Sequence, residues 1–388
     1  MINKKLEQIQ KWRVIIMAFA AFVFNTTEFV PIALLTDIAQ SFAMQPSEVG
    51  LMMTVYAWTV MIMSLPAMLA TGKMERKSLL IKLFLIFIIS HLLSFIAWNF
   101  EILLISRLGI ALAHSVFWSI TASLVMRIAP KNKQTWALSL LSIGTALATI
   151  LGLPLGRMIG QAFGWRLTFG LIGLIAFLVM LALMRLLPPL PSKNSGSLAS
   201  LPGLAKRPLL MGLYATTMTI IAAHFTAYTY IEPFMIEIGK LAPDFTTAIL
   251  LIFGVAGIFG SLLFNRFYRF APTRFFLFTL LGLSLALSLL WLASGHLFSM
   301  IGLALLWGIC IACIGLALQM RVLQLAPDAT DVATAILSGI YNAGIGAGAL
   351  FGNQIMQHFG LQFVGFSGAL IGLFALTIFL YAHFRFAK

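Results

Sequence analysis

Charge is scarce in this chain. Of 388 residues only 11 are Asp or Glu and 25 are Lys or Arg, so charged residues make up 9%. A soluble domain carries roughly 25%, and a water-soluble globule is excluded. Alternating polar and apolar segments of about ten residues are missing, which excludes a membrane β-barrel. There are two cysteines, Cys310 and Cys313, in one C-x-x-C. With no other thiol and no nearby His, they read as small packing residues rather than a redox or metal pair. No loop carries Ser-His-Asp or metal-ligand spacing, and no glycine-rich stretch follows a strand and ends in Lys as a phosphate loop would. An enzyme, a metal site and a bound cofactor are therefore not expected.

What remains is 61% hydrophobic. Apolar runs of about 20 residues recur, each able to cross a bilayer core of roughly 30 Å. Helices satisfy their backbone polar groups internally there. Twelve spans are predicted, at 13–35, 48–70, 78–98, 101–127, 134–157, 163–187, 209–236, 244–267, 273–293, 297–325, 330–357 and 361–384. The first run is too long for a signal-peptide core, and no cleavage is expected. The net charge of +14 sits where the positive-inside rule puts it, not in a nucleic-acid patch. All Lys and Arg except Arg107, Arg157, Arg166 and Lys240 fall in gaps on one side, so both termini are expected in the cytoplasm.

The stretch 188–208, "PPLPSKNSGSLASLPGLAKRP", reads as a linker. It separates a six-span half, 1–187, from a second, 209–388. The halves repeat. Pro130 corresponds to Pro327. Leu141-Ser142, Gly152, Gly156 and Phe163-Gly164 correspond to Leu337-Ser338, Gly348, Gly352 and Phe359-Gly360, each 196 residues later. A parallel repeat of six-span halves is the layout of one large transporter class, with substrate held at the midplane between the halves. The expected fold is an all-α membrane protein of twelve transmembrane helices in two six-helix pseudo-repeats.

Polar groups inside the spans are the candidate site. Glu28, in "FNTTEF", lies nine residues before Asp37, about 13 Å deep at 1.5 Å per residue. A carboxylate there costs about 2.5–3.5 kcal/mol, which a partner or a function must offset. Asn25 shares its face. Arg107, about 9 Å deep, is the candidate partner, on a stripe with Ala111, His114 and Trp118. A structural ion pair is the plain alternative to a pair that responds to protonation. In "AAHFTAYTYIEPFM" a second stripe runs through His224, Tyr228 and Glu232. Hydroxyl-bearing aromatic rings suit sugar faces and hydroxyls. Glu232, near the span end, could instead be a rim residue in water. Pro233 is expected to break this helix. His91 stands alone on the third span and reads as a helix-to-helix bond. Gln319 and Asn342 either line a pocket or join helices. Gly344, Gly348 and Gly352 recur four apart, as close-packing helices require.

With "FNTTEFVP", "FWSITASL", "GTALATILGLPLGR", "YIEPF", "LAPDATDVA" and "GIGAGALFGNQ" on view, the chain resembles the major facilitator transporters of the drug–proton antiporter branch. More narrowly it resembles the SotB-type sugar efflux transporters, along nearly its whole length. The resemblance implies a monomeric, multi-pass inner-membrane protein. It would export sugars such as arabinose, and thiogalactosides, in exchange for protons. Gly152, Pro154 and Gly156 match the fifth-helix motif of antiporters, and Arg107 matches the fourth-helix Arg of the branch. Proton coupling is then expected at Glu28, Arg107 and His114. Substrate contacts are expected from Asn25, Trp118, His224, Tyr228, Glu232, Gln319 and Asn342. A multidrug exporter of the same fold and a channel are the competing readings. One departure stands out. In the loop between spans two and three the family carries an acid and then a Gly before its basic pair. Here Gly72 replaces the acid and Glu75 replaces the Gly, so the usual charge latch of that loop is not expected.

Overall fold

The computed structural model describes residues 2–131, 133–192 and 198–386. The middle of the predicted linker, 193–197, lies outside them. The first unit groups Met1–Asp37 with Ile62–Ser195, and the second groups Ile38–Met61 with Gly196–Lys388. The helices run in chain order as α1 (Ile2–Ala33), α2 (Leu35–Ser41), α3 (Pro46–Thr71), α4 (Arg76–Phe95), α5 (Phe100–Ile128), α6 (Gln134–Leu147), α7 (Leu153–Phe163) and α8 (Trp165–Leu186). There follow α9 (Leu201–Ala205), α10 (Pro208–Tyr228), α11 (Ile231–Pro233), α12 (Pro243–Phe267), α13 (Pro272–Ser288), α14 (Leu290–Ala293), α15 (Leu297–Leu325), α16 (Thr330–His358) and α17 (Val364–Phe386). Among the described residues no strand occurs.

Among the described residues, eleven helices are long and apolar enough to cross a bilayer. The predicted ninth span is the exception. It forms α13, of 17 residues, then turns at Leu289 and resumes as α14. The Ser288 hydroxyl donates to the Leu285 carbonyl, 2.8 Å away, and such back-bonding bends helices. Outward-facing side chains are apolar and widely exposed: Phe278 at 71%, Leu292 at 78% and Phe384 at 78%. Apolar exposure on this scale suits lipid, not water.

Two prolines set the other breaks. The seventh predicted run breaks at Thr229–Tyr230, four residues before Pro233 rather than after it. Pro233 has no N–H for the Thr229 carbonyl, and its ring crowds that carbonyl. A π turn, Phe234–Ile238, follows. The fifth predicted run is likewise α6, a π turn at Ala148–Gly152, and α7 with Pro154 in its first turn.

Glycines fix the helix pairing in both units. A Cβ on Gly152, Gly156 or Gly160 would run into Thr26, Val30 or Leu34. A Cβ on Gly344, Gly348 or Gly352 would run into the carbonyls of Met218, Ala222 or Thr226. In all six pairs the residue numbers differ by 126. The α1–α7 contact and the α10–α16 contact thus share one parallel register. Gly164 (φ 91°) and Gly360 (φ 103°), 196 apart, both adopt a backbone that L side chains rarely enter. The sequence repeat is a structural one.

The first half of α3 belongs to the second unit. Thr54 Oγ1 donates to the Gly346 carbonyl (3.0 Å) and Trp58 Nε1 to that of Ala343 (3.3 Å). Asn353 donates to the Ser47 carbonyl. The chain returns to the first unit between Met61 and Ile62, where Pro66 withholds the N–H that Ile62's carbonyl would use.

The departure in the loop before α4 has a structural use. Glu75 caps α4, accepting from the amides of Lys77 (2.9 Å) and Ser78 (2.8 Å). It also accepts from the Leu190 amide, while the Arg76 amide donates to the Leu190 carbonyl (2.8 Å). Lys77 Nζ reaches the Leu187 carbonyl at 2.7 Å. The start of the predicted linker is thereby strapped to the loop. Burial pushes the Glu75 carboxyl up, but the three amide bonds and the Lys77 charge outweigh it and hold the group below its ordinary range.

Candidate functional site

The four polar residues of "NTTE" point to different neighbours of α1. Asn25 Nδ2 donates to the Thr145 carbonyl of α6 (3.1 Å). Thr26 packs on Gly152. Thr27 Oγ1 is 2.8 Å from His91 Nε2 on α4. Glu28 Oε2 is 3.5 Å from His114 Nε2 on α5. Asn25, grouped by spacing with Glu28, therefore serves a different contact.

Arg107 is fully buried. Its Nη1 donates to the Thr27 carbonyl at 2.9 Å. Pro31 explains this: it lies four residues on and cannot supply the helical N–H to that carbonyl. Arg107 thus grips the residue beside Glu28, and its charge acts on the carboxylate. His114 lies within ion-pair distance of the acid. Trp118, half-buried, stacks obliquely on it with ring centroids 5.9 Å apart.

His91 is pinned at both nitrogens. Nδ1 lies 2.8 Å from the Phe87 carbonyl, which can only accept. In the neutral ring, Nε2 then accepts from Thr27. The expected helix-to-helix bond is there, and it reaches the site's own residue. Arg157, also fully buried, donates to the Ala33 carbonyl and closes the end of α1.

In the second unit, α10, α12 and α15 build an aromatic box. Trp307 Nε1 donates to His224 Nδ1 at 2.8 Å. Tyr228 stacks on His224 (4.8 Å, 21°) and on Phe253 (4.8 Å, 28°). Trp307 meets Tyr228 edge-on at 5.9 Å. A small pocket opens beside them, lined by Tyr228, Ile231, Phe253, Met300, Leu303 and Trp307. The stripe through His224 and Tyr228 does not continue to Glu232, because α10 ends first. Glu232 sits on α11 and is fully buried, so it is no rim residue in water. Asn342 is buried, with Nδ2 bonded back to the Ser338 carbonyl (3.0 Å) and Oδ1 left without a donor. Gln319 is exposed. Trp307 and Phe253 were missed in the sequence, since an indole and a phenyl in apolar helices look like packing.

The fold, buried acid and repeated halves define a membrane transporter. The sequence profile of the Major Facilitator Superfamily matches residues 17–269, and the chain belongs to that family. It is 66% identical over 382 residues to a Haemophilus influenzae (strain PittGG) protein named "Probable sugar efflux transporter", covering 98% of this chain and 96% of that one. A Mannheimia succiniciproducens protein of the same name is 58% identical over 389 residues, covering 100% and 98%. One from Helicobacter pylori (strain P12) is 54% identical over 390 residues, covering 100% of both chains. In fold, the chain matches the inward-facing, unoccupied crystal structure of a bacterial homologue of the human lysosomal transporter Spinster. The TM-score is 0.74 at 14% identity, over 99% of this chain and 98% of that one.

Proposed function

We propose that this protein exports sugars, such as arabinose and thiogalactosides, across the inner membrane in exchange for protons, by alternating access. Its two six-helix halves, 1–187 and 209–388, are joined by a cytoplasmic linker, 188–208, and both termini are cytoplasmic. The observation that carries this reading is Glu28, a carboxylate 7% exposed in α1 and 3.5 Å from His114. Such a group is expensive in a bilayer and useful if it titrates. Glu28 exchanges the proton. Arg107, held by the Thr27 carbonyl, and His114 set the charge around it. Gly152, Pro154 and Gly156, the antiporter motif, hold the fifth span against α1 beside Thr26. Sugar contacts come from Asn25, Trp118, His224, Tyr228, Glu232, Gln319 and Asn342. The names of the close relatives support sugar as the cargo. One proton crossing 100 mV supplies about 2.3 kcal/mol, enough for roughly a 50-fold gradient.

Glu28→Gln keeps shape and cannot titrate. The variant should bind arabinose with wild-type affinity but fail to concentrate it in proteoliposomes under an imposed pH gradient. Concentrative transport by this variant would remove Glu28 as the proton site. The apolar lining of the pocket beside Tyr228 favours a second reading, a multidrug exporter of the same fold. A panel of sugars and lipophilic cations in the same assay separates the two.

A further inference from the structure

In the second unit, hydrogen-bond geometry assigns the proton of the His224 ring outright. An indole N–H can donate and cannot accept. With Trp307 Nε1 2.8 Å from His224 Nδ1, Nδ1 must be the acceptor, so the ring is neutral and its proton is on Nε2. Adding a proton at Nδ1 would set two N–H groups against each other and break the bond. Among the described residues, the rings packed against it offer no compensating charge. The groups packed on the ring are Phe225 and Tyr228 from α10, Phe253 from α12 and Trp307 from α15. Of these only Tyr228 titrates, ordinarily near pH 10. Cys310, one turn along α15, lies instead against Gly282 of α13. Glu232 stands on α11, beyond the break at Thr229–Tyr230. Among the described residues, the hydrogen bond recorded for this ring is the one at Nδ1.

We infer that Trp307 is a positioning residue: it locks His224 as the neutral Nε2–H tautomer, so that His224 offers a substrate hydroxyl a hydrogen-bond donor and takes no part in proton exchange. This rests on the reading of the protein as a sugar exporter. It divides the labour between two histidines. His114 faces a carboxylate in the first unit, and His224 faces an indole in the second. It also makes Trp307 a specificity determinant although its own polar hydrogen is spent on His224. A neutral donor discriminates in favour of cargo with hydroxyl oxygens and does not repel or attract charge.

The chain has six histidines, few enough to resolve by nitrogen-15 NMR of the full-length, histidine-labelled protein. His224→Gln assigns the resonance. Wild type should show His224 as the Nε2–H tautomer throughout pH 5–8, a measurement that needs no Trp307 variant. Trp307→Phe should give mixed tautomers that titrate within that range, a change that loss of packing alone would not produce. Wild-type protonation of His224 between pH 5 and 8, or an unchanged spectrum in Trp307→Phe, overturns the inference. In parallel, arabinose binding by calorimetry should weaken about tenfold in His224→Phe and largely recover in His224→Gln, which restores an N–H donor. Equal affinity in all three forms overturns the donor role. If wild type binds no sugar, the sugar-export reading fails, while the spectra still judge the tautomer independently.

Discussion

At the scale of residues, the site is organised by a proline as much as by charges. Pro31 releases the Thr27 carbonyl, Arg107 takes it at 2.9 Å, and the Thr27 hydroxyl meets His91 at 2.8 Å. Thr27 thus joins three helices while its neighbour Glu28 faces His114. Thr27→Val keeps the branched shape and leaves His91 Nε2 buried without its donor, at a cost of about 1–3 kcal/mol. Thermal unfolding in detergent should show Thr27→Val clearly less stable than wild type and Thr27→Ser close to it. Equal stability of all three would mean that the Thr27–His91 bond is not made. Glu28 and Arg107 were legible in the sequence because charges in apolar runs stand out. The bond from Arg107 to the Thr27 carbonyl was not, since only the position of Pro31, four residues on, exposes that carbonyl. Trp307 was illegible for the opposite reason: its chemistry is hidden in a residue type that normally packs.

At the scale of elements, apolar run length foretold nearly every span, because crossing a bilayer leaves little freedom in length or composition. The breaks were harder to place. Pro233 acts on the carbonyl four residues before it, so α10 stops at Tyr228 and Glu232 leaves the stripe. Ser288 bonds back to the Leu285 carbonyl where α13 ends, a stop that spacing does not encode. Glu75 looks like a defect when compared with the family, yet it caps α4 and straps residues 187–190. Glu75→Ala should cost about 1 kcal/mol at pH 7. The carboxyl is held low in the folded chain, so its contribution is present above the unfolded pKa of about 4.3 and is lost as pH falls through the folded value. The difference in unfolding temperature between Glu75→Ala and wild type should therefore be full at pH 7 and shrink towards pH 3. A difference that does not change with pH would mean that the cap is not ionic.

At the scale of the whole molecule, the repeat seen as matching glycines and Phe-Gly pairs is carried by one helix register, with partners 126 residues apart in both units. That much followed from small residues at fourfold spacing. The membership of Ile38–Met61 in the second unit did not, because apolar helices carry no mark of which neighbour they lean on. Thr54, Trp58 and Asn353 make that choice through bonds to backbone carbonyls. The proposed function couples sugar export to proton entry. It is tested most directly by loading arabinose at equal concentration on both sides of proteoliposomes of the wild-type protein and imposing a pH gradient. Net movement of arabinose opposite to proton flow is expected, against its own rising gradient, with collapse of that gradient on adding an uncoupler. Arabinose that stays at equal concentration whatever the pH gradient, with or without uncoupler, would contradict it.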